Sequence, residues 1–292
     1  MIFGSALMIG APPAGEVVVT TQETDILWAV PAGVFEVSAL VVEGGQGSSR
    51  RYGGSGGRLR WLNQIAVTPG ETLTLRAGGP GDGLDVEDTN GGGLGGESSI
   101  RRDGVVILSS SDDLPFVNGG GGDGGPGGSS ANLIALPEFG PESLPTGGGG
   151  AGGYTGDGGA GGDGDEDNNG ASPGAGGAAS GGRGAFQAQE LTSRYRTLGA
   201  DSGGGTGIFG QTNNGTPSGG GGSDGEDGEG GSAGAGRFGG GGAPREIGVS
   251  KIDGNRTYFP TDGAGGAVRL IWGAGRMFPA TRTMEIAPAE QI

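Results

Sequence analysis

The chain has 292 residues with 78 glycines, 16 prolines, no cysteine and no histidine, and a formal net charge of −16. This composition excludes a disulfide framework and Cys/His metal sites. It also argues against sequence-independent nucleic-acid binding and attraction to anionic membrane surfaces, both of which run on Lys and Arg.

Residues 1–20 read as a lead-in ending in a first strand, Glu16–Thr20. The start of the chain is mildly apolar but has no Lys or Arg before residue 50, so no secretory signal is expected. No run approaches the length of a membrane span. Residues 24–42 predict a strand pair: Ile26, Trp28 and Val30 alternate, Pro31-Ala32-Gly33 turns, and Val34–Val42 follows, rich in Val and Leu. Arg58–Val67 alternates again, and Thr68-Pro69-Gly70 turns into Thr72–Arg76. Ser98–Arg102 and Val105–Leu108 predict a hairpin across Asp103-Gly104. From 118 to 246 glycine runs dominate, interrupted at 129–146, 165–173, 185–202 and 206–218. Residues 185–198 have some helical pattern but no clear cap, so no amphipathic helix is predicted. Ala267–Trp272 reads as the last strand, followed by the tail Gly273–Ile292.

The glycine runs carry a period of three. Gly147, Gly150, Gly153, Gly156, Gly159 and Gly162 hold one register; Gly219, Gly222, Gly225, Gly228, Gly231 and Gly234 hold another; Gly119, Gly122, Gly125 and Gly128 form a shorter one. Glycine loses more conformational freedom on folding than any other residue, so such runs stay disordered unless each glycine permits a contact that a side chain would block. Three readings fit a threefold period. Flexible Gly-rich linkers are one, and a collagen-like trimer is another, although proline is sparse for it. The third, which we favour, is a bundle of polyglycine-II helices. These have three residues per turn and no internal hydrogen bonds, so their N–H and C=O groups must find partners on neighbouring helices. The expected architecture is all-β: a β-sandwich with an inserted polyglycine-II bundle. Residues 1–117 supply sandwich strands and the first glycine runs, 118–246 the bundle, and 247–292 the closing strand and a docking tail.

The blocks TDILWAVPAGVFEVSALVVEGGQGS, GGRLRWLNQIAVTPGETLTLRAGGPG and GESSIRRDGVVILSS, in that order, resemble the glycine-rich domain common in phage tail proteins. GAVRLIWGAGRMFPATRT is similar to a C-terminal ending of marine and cyanobacterial phage structural proteins. The resemblance implies a tumour-necrosis-factor-like or jelly-roll-like sandwich holding polyglycine-II helices. It further implies a virion protein of tail-fibre or adhesin type, the alternative being an outer capsid fibre, decoration or other tail structural protein without a specific receptor, made in the host cytoplasm and released by lysis. Its partners would be other virion proteins and a host surface glycan or outer-membrane protein.

Chemistry-bearing motifs are few. Asp163, Asp165 and Asp167 are spaced like the start of a calcium loop, but Gly174 stands where the bidentate Glu belongs, so a solvated acidic turn is the expectation. No Asp/Glu pair stands out for glycan hydrolysis, triads are excluded without His or Cys, and no glycine string leads into the Lys-Ser/Thr of a phosphate loop. No enzyme activity, cofactor or metal is predicted. Trp28, Trp61 and Trp272 are expected in the core. Tyr154, Phe186, Tyr195, Phe209, Tyr258 and Phe259 are candidates for receptor contact, or else cap bundle ends. In the tail, Arg276, Phe278, Arg282 and Met284 are candidates for docking onto a neighbouring protein, the alternative being packing on their own sandwich.

Overall fold

The computed structural model describes residues 14–20, 23–86, 91–113, 116–128, 133–136, 140–143, 145–163, 186–192, 195–210, 238–250, 256–279 and 290–291. Among these the protein is all-β. The strands are β1 Gly15–Thr20, β2 Ile26–Ala29, β3 Glu36–Val42, β4 Leu59–Ala66, β5 Thr72–Arg76, β6 Ser99–Arg102, β7 Val105–Ser109 and β8 Gly119–Gly122. They continue with β9 Leu133–Leu136, β10 Gly140–Ser143, β11 Phe186–Thr192, β12 Tyr195–Gly199, β13 Arg245–Ser250, β14 Arg256–Phe259, β15 Ala267–Trp272 and β16 Glu290–Gln291. One sheet has the order β16-β1-β15-β3-β4-β8 and a second the order β2-β5-β6-β7; all their pairings are antiparallel except β16 with β1.

The two sheets face each other across one core. Val17, Val19, Val37, Ala39, Val41, Val268 and Leu270 of the first sheet meet Trp28, Leu73, Leu75, Ile100 and Leu108 of the second. The Trp28 and Trp272 rings lie 5.4 Å apart, tilted by 39°. Fully burying one such aliphatic side chain is worth roughly 1.5–3 kcal/mol. The expected strand pair at 24–42 is corrected here. β2 pairs β5, with Trp28 opposite Leu73, whereas β3 pairs β15 and β4. Both strands send apolar residues to the same core from opposite sides, so the turn at Gly33, where φ is +80°, carries the chain between layers. The hairpin at Asp103-Gly104 forms as expected, with φ of +49° and +79° at its two turn residues, the pair of positive φ values that suits strand twist.

The first sheet is also buried on its outer side. Val18, Leu40, Val42, Leu59 and Ile271 alternate with the inner set and are covered by Tyr154, Ile208, Phe238 and Phe278. That double burial explains the almost unbroken apolar run of β3.

Beyond the strands the chain runs in glycine-rich segments bonded through their backbones. Successive residues bond different neighbours, and every third residue returns to the same one. Glu43 and Gln46 donate to Arg58 and Ser55, Gly44 and Gly47 to Gly96 and Gly93, and Gly45 and Ser48 to Ala264 and Thr261. Segment 147–153 repeats the rule. Gly147, Gly150 and Gly153 donate to Gly162, Gly159 and Gly156; Gly148 and Ala151 to Asp201 and Gly204; Gly149 and Gly152 to Gly54 and Gly57. These seven bonds measure between 2.8 and 3.0 Å. The register first seen in the sequence thus pairs with itself across two antiparallel segments. Spacing is too tight for side chains: a Cβ on Gly149 would sit 1.9 Å from the Gly125 carbonyl oxygen, and one on Gly203 1.8 Å from that of Gly149.

The segments come from all three sequence blocks, so the backbone-bonded array extends beyond 118–246. They continue β3, β5 and β8 outward and lead back into β4, β6 and β15. At the end away from the sandwich, the excursion between 128 and 147 carries the β9–β10 hairpin. Two other excursions join there side by side as a four-stranded antiparallel sheet, β11-β12-β13-β14. The stretch 185–198, noted for weak helical pattern, thus contributes two of its strands. The register at Gly219, Gly222, Gly225, Gly228, Gly231 and Gly234 lies outside the described residues.

Candidate recognition surface and cleft

The structure divides the aromatic residues considered for receptor contact. Tyr154 is corrected: it is 1% exposed. Its carbonyl accepts from Trp61 Nε1 at 2.9 Å, its hydroxyl accepts from the Gly210 N–H at 3.0 Å, and its ring stacks on Phe278 with centroids 6.1 Å apart. A tyrosine at the end of a glycine segment has no neighbouring side chains to shield it, so it fills the space between array and sheet. Phe209 is half-buried, with the Arg269 guanidinium 4.7 Å from its ring centroid. Phe259 stays exposed at the end of β14. Phe186, Tyr195 and Tyr258 lie on β11, β12 and β14, in the same distal sheet, but their side chains lie outside the described residues.

For Arg276 and Phe278 the docking expectation gives way to its alternative, packing on their own sandwich, where both are buried. The Phe278 N–H and carbonyl bond the Asn63 side chain at 2.9 and 2.7 Å. Arg276 donates to Glu16 at 2.9 Å and to the Gly15 carbonyl, and Glu16 also receives Arg269 at 2.5 Å. Arg269, fully buried, donates in addition to the Ile208 carbonyl at 2.7 Å. Burial pulls the Arg276 guanidinium below its ordinary range, against the opposing pull of Glu16. The reason is geometric: β1 and β15 are adjacent, so Glu16 lies directly opposite Ile271, one residue from Trp272. Sequence separation hid this pairing of residues more than 250 positions apart. Arg282 and Met284 lie outside the described residues.

Of the acidic triplet, Asp163 is half-buried at the end of a glycine segment, while Asp165 and Asp167 lie outside the described residues. Among the described residues no group of His, Cys, Asp and Glu side chains has the makings of a metal site. No helix there is long and apolar enough to cross a membrane.

Two features were missed in the sequence. At the distal end Leu84 and Val86 are exposed, as is Phe259, which the sequence had already singled out. Arg50 beside them bonds Asp85 at 2.5 Å, holding that carboxylate below its usual range. The second feature is a lateral cleft of about 490 Å³. Its floor is formed by segments 43–46 and 55–58 and its sides by 94–95 and 123–126. Glu43 and Asp123 both face it, with Arg58 Nε 3.9 Å from the first and 3.8 Å from the second. Arg60, nearly buried, also pairs with Asp123. Burial pushes the Glu43 carboxyl up, partly offset by the Arg58 N–H and its charge. The only sequence signal was position: Glu43 and Asp123 are the charged residues at which β3 and β8 pass into glycine segments.

No protein-family model matches the chain, and no curated protein matches it at a significant level.

Proposed function

We propose that this chain is a structural protein of the phage virion, of tail-fibre or adhesin type, that attaches the particle to the host surface. In this reading the sandwich, of tumour-necrosis-factor-like or jelly-roll-like kind, is the base. The glycine array is a polyglycine-II bundle serving as a stiff scaffold, and the distal excursions present variable side chains. The observation that carries it is the threefold backbone bonding of segments 43–48 and 147–153, which is what helices with three residues per turn require of their neighbours. A flexible linker would have no such register. Rigid support for variable loops is a common basis of recognition, and many copies on one particle would turn weak contacts into avidity. The distal sheet with Phe186, Tyr195, Tyr258 and Phe259 on its strands is the expected contact region. Its partners would be a host glycan or outer-membrane protein on one side and other virion proteins on the other.

The test is competition. Purified full-length protein is added to host cells before phage, and residual adsorption is measured. Dose-dependent blocking, lost when 186–199 is replaced by a short glycine linker, supports attachment. Protein that neither binds cells nor competes, yet is located on the particle by immunogold labelling, is a decoration or structural component instead.

A further inference from the structure

We propose that the lateral cleft is a saccharide-binding site for a neutral, polyhydroxylated ligand. A cleft of about 490 Å³ falls within the 300–1,000 Å³ typical of small-ligand sites. Its polar groups are of complementary kinds. Glu43 and Asp123 accept hydrogen bonds, Arg58 donates, and Gln46 and Ser55 do both. Vicinal hydroxyls, each a donor and an acceptor, match such a mixed lining. Exposed Leu94 at the rim offers an apolar surface for the C–H face of a sugar ring.

Charge selects the neutral class. Arg58 lies within 4 Å of both carboxylates, and Arg60 adds a second positive partner on Asp123. A bare cation entering the cleft meets Arg58, and an anionic sugar meets two carboxylates; a neutral polyol meets neither repulsion. The site is also rigid. Its floor is held by the Gln46–Ser55 and Glu43–Arg58 backbone bonds, at 2.9 and 2.8 Å, and the Gln46 side chain further joins the Ser55 N–H to the Gly92 carbonyl. A floor whose backbone is already fixed by these bonds loses little entropy on binding.

The choice of a glycan as biological ligand rests on the attachment reading; the geometry of the cleft does not. The experiment uses the full chain on an array of neutral oligosaccharides beside sialylated and uronic-acid ones, with hits measured by calorimetry and saturation-transfer NMR. The expected result is binding to neutral saccharides, weakened at least tenfold by Asp123→Asn and abolished by Leu94→Arg. The latter fills the rim from a position that is 83% exposed and so leaves the fold intact. No binding by any neutral saccharide, preference for acidic ones, or hits unaffected by Leu94→Arg would overturn the proposal. Cell attachment unchanged in Leu94→Arg removes the cleft from attachment while leaving the attachment reading standing. Saccharide binding without cell attachment does the reverse.

Discussion

The sandwich and the glycine array solve the same problem with opposite means. In the sandwich, side chains do the packing: Leu40, Leu73, Leu75, Ile100 and Leu270 are fully buried, and the backbone bonds only along each sheet. In the array there are almost no side chains to pack, and the backbone bonds neighbours on several sides. Segment 147–153 reaches three of them through consecutive residues. The sandwich therefore tolerates changes of side-chain shape to a degree, while the array tolerates none where two backbones touch. Order in the array comes from geometry rather than from apolar burial, which is why a chain so rich in glycine and so poor in apolar residues can still be built regularly.

The sharpest break in this comparison is a single methyl group. Gly149→Ala places a Cβ 1.9 Å from a backbone carbonyl that its own neighbours hold in place. We expect a loss beyond the roughly 4–5 kcal/mol that marks exceptional substitutions, read by denaturant unfolding and by protease nicking within the array. Unchanged resistance to protease would rule out close backbone packing there.

Glu16→Ala comes next. It leaves Arg269 and Arg276 buried without their carboxylate, and removing one partner of a buried ion pair costs roughly 3–5 kcal/mol. Replacing Arg269 by Met in the same variant should recover part of the loss. A core truncation, Leu75→Ala, should cost about 2–5 kcal/mol and lower the thermal midpoint of the sandwich.

The smaller effects separate two uses of glycine. Gly104 has φ of +79° and open space around the missing Cβ. Gly104→Ala should therefore cost only the left-handed backbone penalty of about 1–2 kcal/mol. A loss equal to that of Gly149→Ala would erase the distinction between turn glycines and packing glycines.

Smallest is the pH effect at Glu43. Burial raises its carboxyl in the folded state, so the folded protein binds the proton more tightly than the unfolded chain. Its contribution therefore falls as pH rises from the ordinary carboxylate range through the raised folded value. Glu43→Gln should be slightly more stable than the parent above that window and lose the advantage at acidic pH, measured by thermal unfolding across pH.

Much of the sandwich could be read in advance because its signals are local. Alternating Val and Leu, positive-φ turn residues and the Asp103-Gly104 hairpin need only neighbours a few positions away. Pairing did not follow from adjacency, since the turn at Gly33 joins two layers rather than two neighbours in one sheet. The candidate site was less readable. Tyr154, Arg276 and Phe278 looked free because their partners, Gly210, Glu16 and Asn63, lie far away in sequence. Glu43 and Asp123 lie far apart in sequence and meet at one cleft only in the folded chain.

The amino-acid order alone carried the all-β class, the sandwich strands and the threefold glycine register, because period and alternation are properties of a chain and its backbone sterics. Which segment neighbours which was settled by folding. The register states that Gly147, Gly150 and Gly153 are equivalent, but not that they face Gly162, Gly159 and Gly156 while the residues between them face 54–57 and 201–204. Glycine segments look alike to one another, so their order in the array follows from the strands, turns and buried side chains that anchor their ends.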